Sequence, residues 1–270
     1  MKPAPILSGA VFLAACLPGW PANVPYDAAT IIQRSVEANA RDWKAAPDYD
    51  NYERDLQPGG GTKTYHVMMI LGSPYEQLVA INDKPLPPEQ EMQEKQKLEA
   101  AIRQRRNESP QQRAQRIAKY EKNRKRDHLL MEQLTKAFNF TVTGEKNLNG
   151  FDVYVLKATP RPGYQPPNME TEVLKGMQGT LWIDTKTFQW VKVEAQVIHP
   201  VSIEGFLAEV EPGTRFELEK MPVEDDIWLA KHFSMRAQAK VLFLFGRKSR
   251  ADETYYGYHK AEVWPTGKEK

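Results

Sequence analysis

The most regular feature of the sequence is an alternation of apolar and polar residues over positions 179–197. Side chains of a β-strand point alternately to opposite faces, so this period of two predicts two strands, each with one apolar face. The polar residues at 184–187 predict a tight turn between them. The predicted apolar face carries Leu181, Ile183, Val191, Val193, Ala195 and Val197. The predicted opposite face carries Trp182, Phe188 and Trp190.

The same alternation recurs on both sides of this hairpin, with polar or glycine- and proline-rich turns between the runs. Ten or eleven strands at hairpin-like spacing predict a mainly β (α+β) fold. The sheet is expected to be an unclosed antiparallel β-barrel or curved sheet of about ten strands. The predicted strands outside the hairpin cover residues 49–56, 62–71, 75–81, 152–158, 203–210, 215–220, 227–235, 239–245 and 255–263, and the period of two returns after the insert at Phe140.

Two helical segments interrupt this β pattern. Asp27 is a suitable N-cap for a helix that ends near residue 46, and its predicted apolar stripe is Ile32, Val36, Ala40 and Trp43. The insert at 88–138 is dominated by Glu, Gln, Lys and Arg and predicts two helices, of which the second is capped by Ser109. The sheet is expected to cover the first helix and this helical pair. With few apolar contacts, the insert is expected to act as a movable cover.

The second helix of the insert carries a basic cluster, Lys122, Arg124, Lys125 and Arg126. Two interpretations are open. The cluster is either a patch for anionic lipid headgroups or an acidic partner, or the solvated face of a helix.

The first 22 residues predict a signal peptide followed by a tether. A basic start precedes an apolar run at 6–15 that is too short to cross a bilayer, and the run ends at Cys16. The residues at 13–16 resemble a bacterial lipobox, in which the cysteine receives a lipid. We therefore expect Cys16 to anchor the chain to a membrane, with plain secretion or a buried N-terminal helix as alternatives. Leu17 follows the cysteine, which is compatible with sorting to an outer membrane.

Composition and motifs give no support for nucleic-acid binding, metal binding or catalysis. A net charge of +2 in 270 residues gives no argument for nucleic-acid binding. The five histidines have no metal-ligand spacing, and no nucleophile motif of the Gly-x-Ser-x-Gly type is present. We expect no catalytic residues, no metal and no cofactor, so a hydrolase is the minor alternative.

Three stretches resemble the LolA/LolB family of periplasmic lipoprotein carriers and receptors. The hairpin at 179–194 is similar to the family pattern Gly-x-Leu-x-Ile-Asp…Thr…Ile-x-Arg-x-Glu, and residues 225–230 resemble its Asp-Gly-x-Trp-x-Pro strand. The tyrosine-rich stretch at 255–258 is also similar, and a helix precedes the sheet. The resemblance covers residues 27–263 as a single domain. It implies an unclosed barrel around helices that cover a hydrophobic cavity. Family members bind acyl chains there or act as periplasmic stress sensors.

We therefore expect an exported cell-envelope lipoprotein, anchored at the outer membrane, that binds a lipid or a lipoprotein acyl chain as carrier or receptor. The alternative is a membrane-anchored periplasmic interaction or stress-sensor module with an envelope protein partner and no transport activity. The side chains predicted to line the cavity are Val67, Met69, Leu71, Leu181, Ile183, Val191 and Val193.

Overall fold

A computed structural model describes residues 26–203, 208–224, 226–241 and 245–264. The signal peptide and Cys16 therefore lie outside the described residues. Three α-helices are present in the described part of the chain: α1 (Ala28–Ala45), α2 (Pro88–Arg106) and α3 (Pro110–Ala137). Two short 3₁₀ helices cover Ala46–Asp48 and Met169–Gly176.

Thirteen strands make up the sheet of the described residues. Four precede the insert: β1 (Tyr49–Leu56), β2 (Thr62–Ile70), β3 (Ser73–Ile81) and β4 (Lys84–Pro85). Four follow it: β5 (Phe138–Leu148), β6 (Phe151–Pro160), β7 (Met177–Asp184) and β8 (Trp190–Val197). The last five are β9 (Val201–Ile203), β10 (Ala208–Val210), β11 (Arg215–Glu224), β12 (Ile227–Val241) and β13 (Phe245–Lys260).

The sheet is antiparallel and unclosed. Its strand order is β4-β3-β2-β1-β13-β12-β11-β8-β7-β6-β5, so β4 and β5 are the two edges, and β9 and β10 pair beside β12. This confirms the predicted fold class. The predicted boundaries near the C-terminus were wrong, because β12 and β13 are continuous strands of 15 and 16 residues. Residues 246–254, which lie between two of the predicted strands, are part of β13.

The central hairpin was predicted correctly as β7 and β8, but one part of its facing pattern was wrong. Leu181 pairs with Val193, and the register then shifts so that Ile183 pairs with Trp190. This bulge leaves Val191 as the extra residue, which inverts the alternation at its position. Trp190 consequently joins Leu181 in the main core, whereas Val191 packs in a second cluster with Val153 and Trp228.

Helix α1 lies on the main core and begins where the sequence predicted. Asp27 Oδ1 accepts a hydrogen bond from Thr30 N at 2.7 Å, which caps the first turn. The buried face is rotated from the predicted stripe and includes polar residues. It consists of Ile31, Ile32, Ser35, Ala38, Asn39 and Asp42.

The insert has the predicted form of two helices. Ser109 and Gln112 form a reciprocal capping box at the start of α3, with hydrogen bonds of 3.2 and 2.9 Å. Neither α2 nor any other described helix is long and apolar enough to cross a membrane.

Candidate binding groove between helices α1 and α3

Helices α1 and α3 pack side by side and run in opposite directions. Near the end of α1, the Trp43 ring stacks on the His128 imidazole with centroids 4.7 Å apart. Near the start of α1, Ile32 and Val36 share a hollow with Thr135, close to the end of α3. Position along α1 therefore increases as position along α3 decreases, and two hollows lie at the two ends of this helix pair.

The first end of the groove is apolar. A hollow of about 580 Å³ lies between α1, the end of α3 and the edge strand β5. Ligand pockets usually enclose about 300–1,000 Å³ and present mainly apolar side chains. The half-buried Val36 and Phe140 supply the larger apolar surfaces here, Ile32 contributes the 5% of its surface that the core leaves exposed, and Arg161 lies at the rim. Arg161 is held in place because its guanidinium donates to Asn139 Oδ1 at 3.2 Å and to Phe138 O at 3.0 Å.

The other end is basic. A second hollow of about 500 Å³ is lined by Trp43, His128, one carboxylate (Glu132) and three exposed cations of α3, Lys122, Lys125 and Arg126. Burial lowers the pKa of His128, and the nearby Arg124 cation acts in the same direction. The indole Nε1 of Trp43 is buried without a hydrogen-bond partner among the described residues.

The two hollows share the same helix faces. Along α1, Ile32, Val36 and Trp43 follow the spacing of one helical face. Along α3, one helical face likewise carries Lys125, Glu132 and Thr135. Seven residues of helix rise by about 10 Å, so the apolar and basic ends are about two turns apart along α1. We name this combined feature the α1–α3 groove.

The predicted basic cluster divides within the structure. Lys122, Lys125 and Arg126 line the groove, whereas the side chain of Arg124 turns towards α1 and keeps only 15% of its surface exposed. Arg124 donates to Trp43 O, and its guanidinium carbon lies 4.5 Å from the centroid of the Trp43 ring. It therefore fixes α3 to α1.

The seven side chains predicted to line one cavity lie in different places. Leu181 and Ile183 are buried in the main core, with Val193 packed against it, and Val191 belongs to the second cluster. Met69 and Leu71 instead share a separate hollow with Tyr120 of α3. Val67 is half-buried on β2, across from Asn51 and Glu76. Contact of any of the seven with a ligand stays a prediction.

The insert is attached to the turn between β2 and β3 by arginines. Arg105 of α2 donates to the backbone oxygens of Ile70, Ser73 and Pro74 at 2.8–2.9 Å. Arg116 of α3 donates to Leu71 O at 3.2 Å and to Ser73 Oγ at 2.7 Å. The insert was expected to be a movable cover with few apolar contacts, and the structure adds charged donors on carbonyls to its attachment.

Sequence reasoning missed the residues of the apolar end as a binding surface. Ile32 and Val36 were recognised as part of an apolar stripe, which is the available signal, but they were assigned to packing. Phe140 was recognised only as the start of a strand. No local pattern in the sequence indicates that α1 contacts Thr135 and Phe140, about one hundred positions later.

Among the described residues, no group of three His, Cys, Asp or Glu side chains has the geometry of a metal site. The chain matches no protein-family model and no curated protein. It is similar to the structure of a LolA superfamily protein from Nitrosomonas europaea, with a TM-score of 0.34 and 11% identity over 89% of this chain and 96% of that chain. A DUF1329 family protein from Desulfovibrio piger gives a TM-score of 0.32 and 11% identity over 89% of this chain and 94% of that chain. The first belongs to the family that the motifs resemble; at these TM-scores neither similarity bears on what the chain binds.

Proposed function

We propose that the chain is a cell-envelope protein that binds one acyl chain, together with its anionic headgroup, in the α1–α3 groove. The supporting observation is the gradient along the groove, from apolar side chains at Ile32 and Val36 to cations at Lys122 and Lys125. Burying an acyl chain gains about 0.8 kcal/mol for each CH₂ group, and the cations complement a phosphate or carboxylate. Such a protein acts as a carrier or receptor and not as an enzyme.

The test measures binding of 1-palmitoyl-lysophosphatidylglycerol to the purified chain by native mass spectrometry and by titration. The key variant is Val36→Asp, which places a carboxylate at the apolar end. We expect its affinity to fall at least tenfold, because the charge loses hydration when the acyl chain enters. Met92→Asp is the matched control, since Met92 is a half-exposed apolar residue on α2 outside the groove.

A second pair of variants tests the basic end. Lys122→Gln with Lys125→Gln should weaken binding of the anionic lipid several-fold and leave lysophosphatidylcholine unaffected. Lys84→Gln with Lys95→Gln removes the same charge elsewhere on the surface. A folded Val36→Asp protein with the affinity of the unsubstituted chain would overturn the groove assignment.

A protein segment is the second candidate occupant. The 11-residue strand β5 is an edge of the sheet and borders the apolar end of the groove, so a partner segment has an open strand to pair with. This corresponds to an interaction or stress-sensor module in the envelope. Purification of the chain with a bound protein and no extractable lipid, with loss of that protein in Val36→Asp, would favour it over lipid binding.

The proposal includes a lipid on Cys16 that anchors the chain to a membrane. Mass spectrometry of the N-terminal peptide from the membrane fraction measures this lipid directly. A diacyl or triacyl mass on Cys16 supports an anchored receptor, and a chain that begins after residue 22 without lipid supports a soluble carrier.

A further inference from the structure

The outer, polar face of the sheet contains a row of residues in direct register across five neighbouring strands. Gln178 of β7 pairs with Gln196 of β8, and Gln196 pairs with Arg215 of β11. Arg215 pairs with Arg236 of β12, and Arg236 pairs with Arg250 of β13. Three arginines therefore stand side by side on adjacent strands. Directly opposed side chains have Cβ atoms about 4.5–5.5 Å apart, so this row concentrates like charge.

Two of these arginines have no side-chain partner among the described residues. Arg250 donates to Asp252 Oδ2 at 3.1 Å, which compensates its charge. By contrast, the side chains of Arg215 and Arg236 make no hydrogen bond or ion pair with any residue that the structure describes. Like charges directly opposite each other destabilise a sheet. The repulsion between Arg215 and Arg236 therefore lowers the stability of the sheet, and no contact among the described residues offsets it.

The two acidic residues beside the row are both bound by one lysine. In the next row, Glu194 pairs with Glu217, and both carboxylates lie 2.8 Å from Lys192 Nζ. Burial disfavours the charged form of Lys192, but hydrogen bonds and charge attraction from Glu194 and Glu217 outweigh it and raise its pKa. These carboxylates are thus engaged by Lys192, and Arg215 and Arg236 keep their positive charge towards solvent.

The row borders a shallow hollow of about 520 Å³. Arg215, Arg236 and Lys157 contribute cations to its lining. Four neutral polar groups of the lining are suited to hydrogen bonds with hydroxyls or amides: Gln178, Gln196, Thr180 and Ser234. The carboxylates of Glu194 and Glu217 also line the hollow, and Lys192 binds both of them.

We propose that Arg215 and Arg236 bind the phosphate group of a phosphate monoester or diester with a hydroxyl-rich remainder, in this hollow on the outer face. A guanidinium group can donate two hydrogen bonds to phosphate oxygens, which lysine does not reproduce, and two such groups stand on neighbouring strands here. Lys157 adds a third positive charge, and the glutamine and hydroxyl side chains bind the rest of the ligand. This site is separate from the α1–α3 groove, and its occupant is a polar phosphate compound, either free or as a lipid headgroup.

The experiment uses the full chain and three probes: inorganic phosphate, glycerol 3-phosphate, and vesicles of phosphatidylglycerol with phosphatidylcholine vesicles as reference. Phosphate and chloride are compared at equal ionic strength. We expect the phosphate probes to raise the melting temperature of the unsubstituted chain. In the variant Arg215→Gln with Arg236→Gln, we expect at least a tenfold loss of phosphate affinity and an unliganded melting temperature at or above that of the unsubstituted chain. Lys95→Gln with Arg103→Gln, two exposed cations on α2, is the control.

The probes separate the two sources of phosphate. Binding of glycerol 3-phosphate indicates a soluble ligand, and binding of phosphatidylglycerol vesicles alone indicates a lipid headgroup; both outcomes support the site if the arginine variant abolishes them. Absence of binding to every probe would overturn the proposal. Equal loss in the control variant would also overturn it, since the effect would then follow net charge alone.

Discussion

Asp42 of α1 and Lys220 of β11 form a buried ion pair, although 178 residues separate them in the chain. The Lys220 side chain keeps 9% of its surface exposed and the Asp42 side chain 4%. Asp42 Oδ1 also accepts from Gln189 Nε2 at 2.9 Å and from Trp228 N at 3.0 Å. Lys220 Nζ makes a further bond to Asn39 Oδ1 at 2.9 Å. The network fixes α1, and with it one wall of the α1–α3 groove, against the sheet.

Removal of one partner of this pair is predicted to be costly. Burial lowers the pKa of Lys220, and the adjacent Asp42 carboxylate opposes that effect. Lys220→Ala leaves Asp42 without its cation, and such losses cost about 3–5 kcal/mol of unfolding free energy. Urea unfolding measures the loss. The double change Lys220→Met with Asp42→Asn should recover part of it, and a double variant less stable than Lys220→Ala would contradict this account.

The hydrogen bonds of Arg105 predict that its loss loosens the insert before the rest of the sheet. Arg105→Ala removes three hydrogen bonds to the carbonyls of residues 70–74 and leaves those oxygens without a charged donor. We expect a loss of about 1.5–3 kcal/mol. Amide hydrogen exchange should accelerate in α2 and in the turn between β2 and β3 before the rest of the sheet. Arg103→Ala, an exposed ion-pair residue on the same helix, is the control and should leave exchange unchanged.

The sequence was sufficient to predict the elements but not their register. The hairpin β7–β8, the position of α1 and the two helices of the insert follow from local patterns of period two and 3.6. The bulge at Val191 does not, because one extra residue is invisible to alternation and requires knowledge of which residues pair. The continuity of β12 and β13 was missed for a similar reason, since the polar residues within β12 and Gly246 with the charged residues of β13 are typical of turns.

The sites depend even more on long-range contacts. The α1–α3 groove joins Val36 to Thr135 and Phe140, and the arginine row joins Arg215 to Arg236 through the pairing of β11 with β12. No local pattern specifies either contact. The sequence did identify the basic residues of α3, because charge is visible without knowledge of the fold, but it did not separate Arg124 from its neighbours.

A substitution at Val191 distinguishes the predicted role of this residue in a ligand cavity from the packing role that the structure indicates. If Val191 lined a ligand cavity, Val191→Asp would abolish ligand retention in a folded protein. The structure places this side chain in the cluster with Val153 and Trp228, 3% exposed. We expect Val191→Asp to destabilise the chain by more than about 3 kcal/mol, because an unpaired carboxylate would be buried there. A soluble Val191→Asp protein with an unchanged melting temperature and lost lipid binding would restore the earlier hypothesis.

The last prediction concerns an acidic cluster on β1. Glu53 pairs with Tyr65 of β2 and with Tyr255 of β13, which places its carboxylate between two aromatic side chains. Burial, followed by the charges of Asp55 and Glu253, raises the pKa of Glu53 to about 8. The folded protein therefore holds a proton that the unfolded chain releases near the ordinary pKa of a glutamate. Stability from this group is fully present below about pH 4.3 and is lost as the pH rises towards 8.

Glu53→Gln should remove this pH dependence, because the amide imitates the protonated carboxyl group at every pH. We expect the variant to match the unsubstituted chain at pH 4.5 and to exceed it at pH 8.5 by on the order of 1–2 kcal/mol, a value reduced because solvent screens part of the side chain. Urea unfolding of both proteins at pH 4.5, 6.5 and 8.5 measures the difference. Glu91→Gln, on the exposed surface of α2, serves as the control. Parallel stability curves for Glu53→Gln and the unsubstituted chain would mean that Glu53 is ionised in the fold and that burial and its acidic neighbours do not raise its pKa.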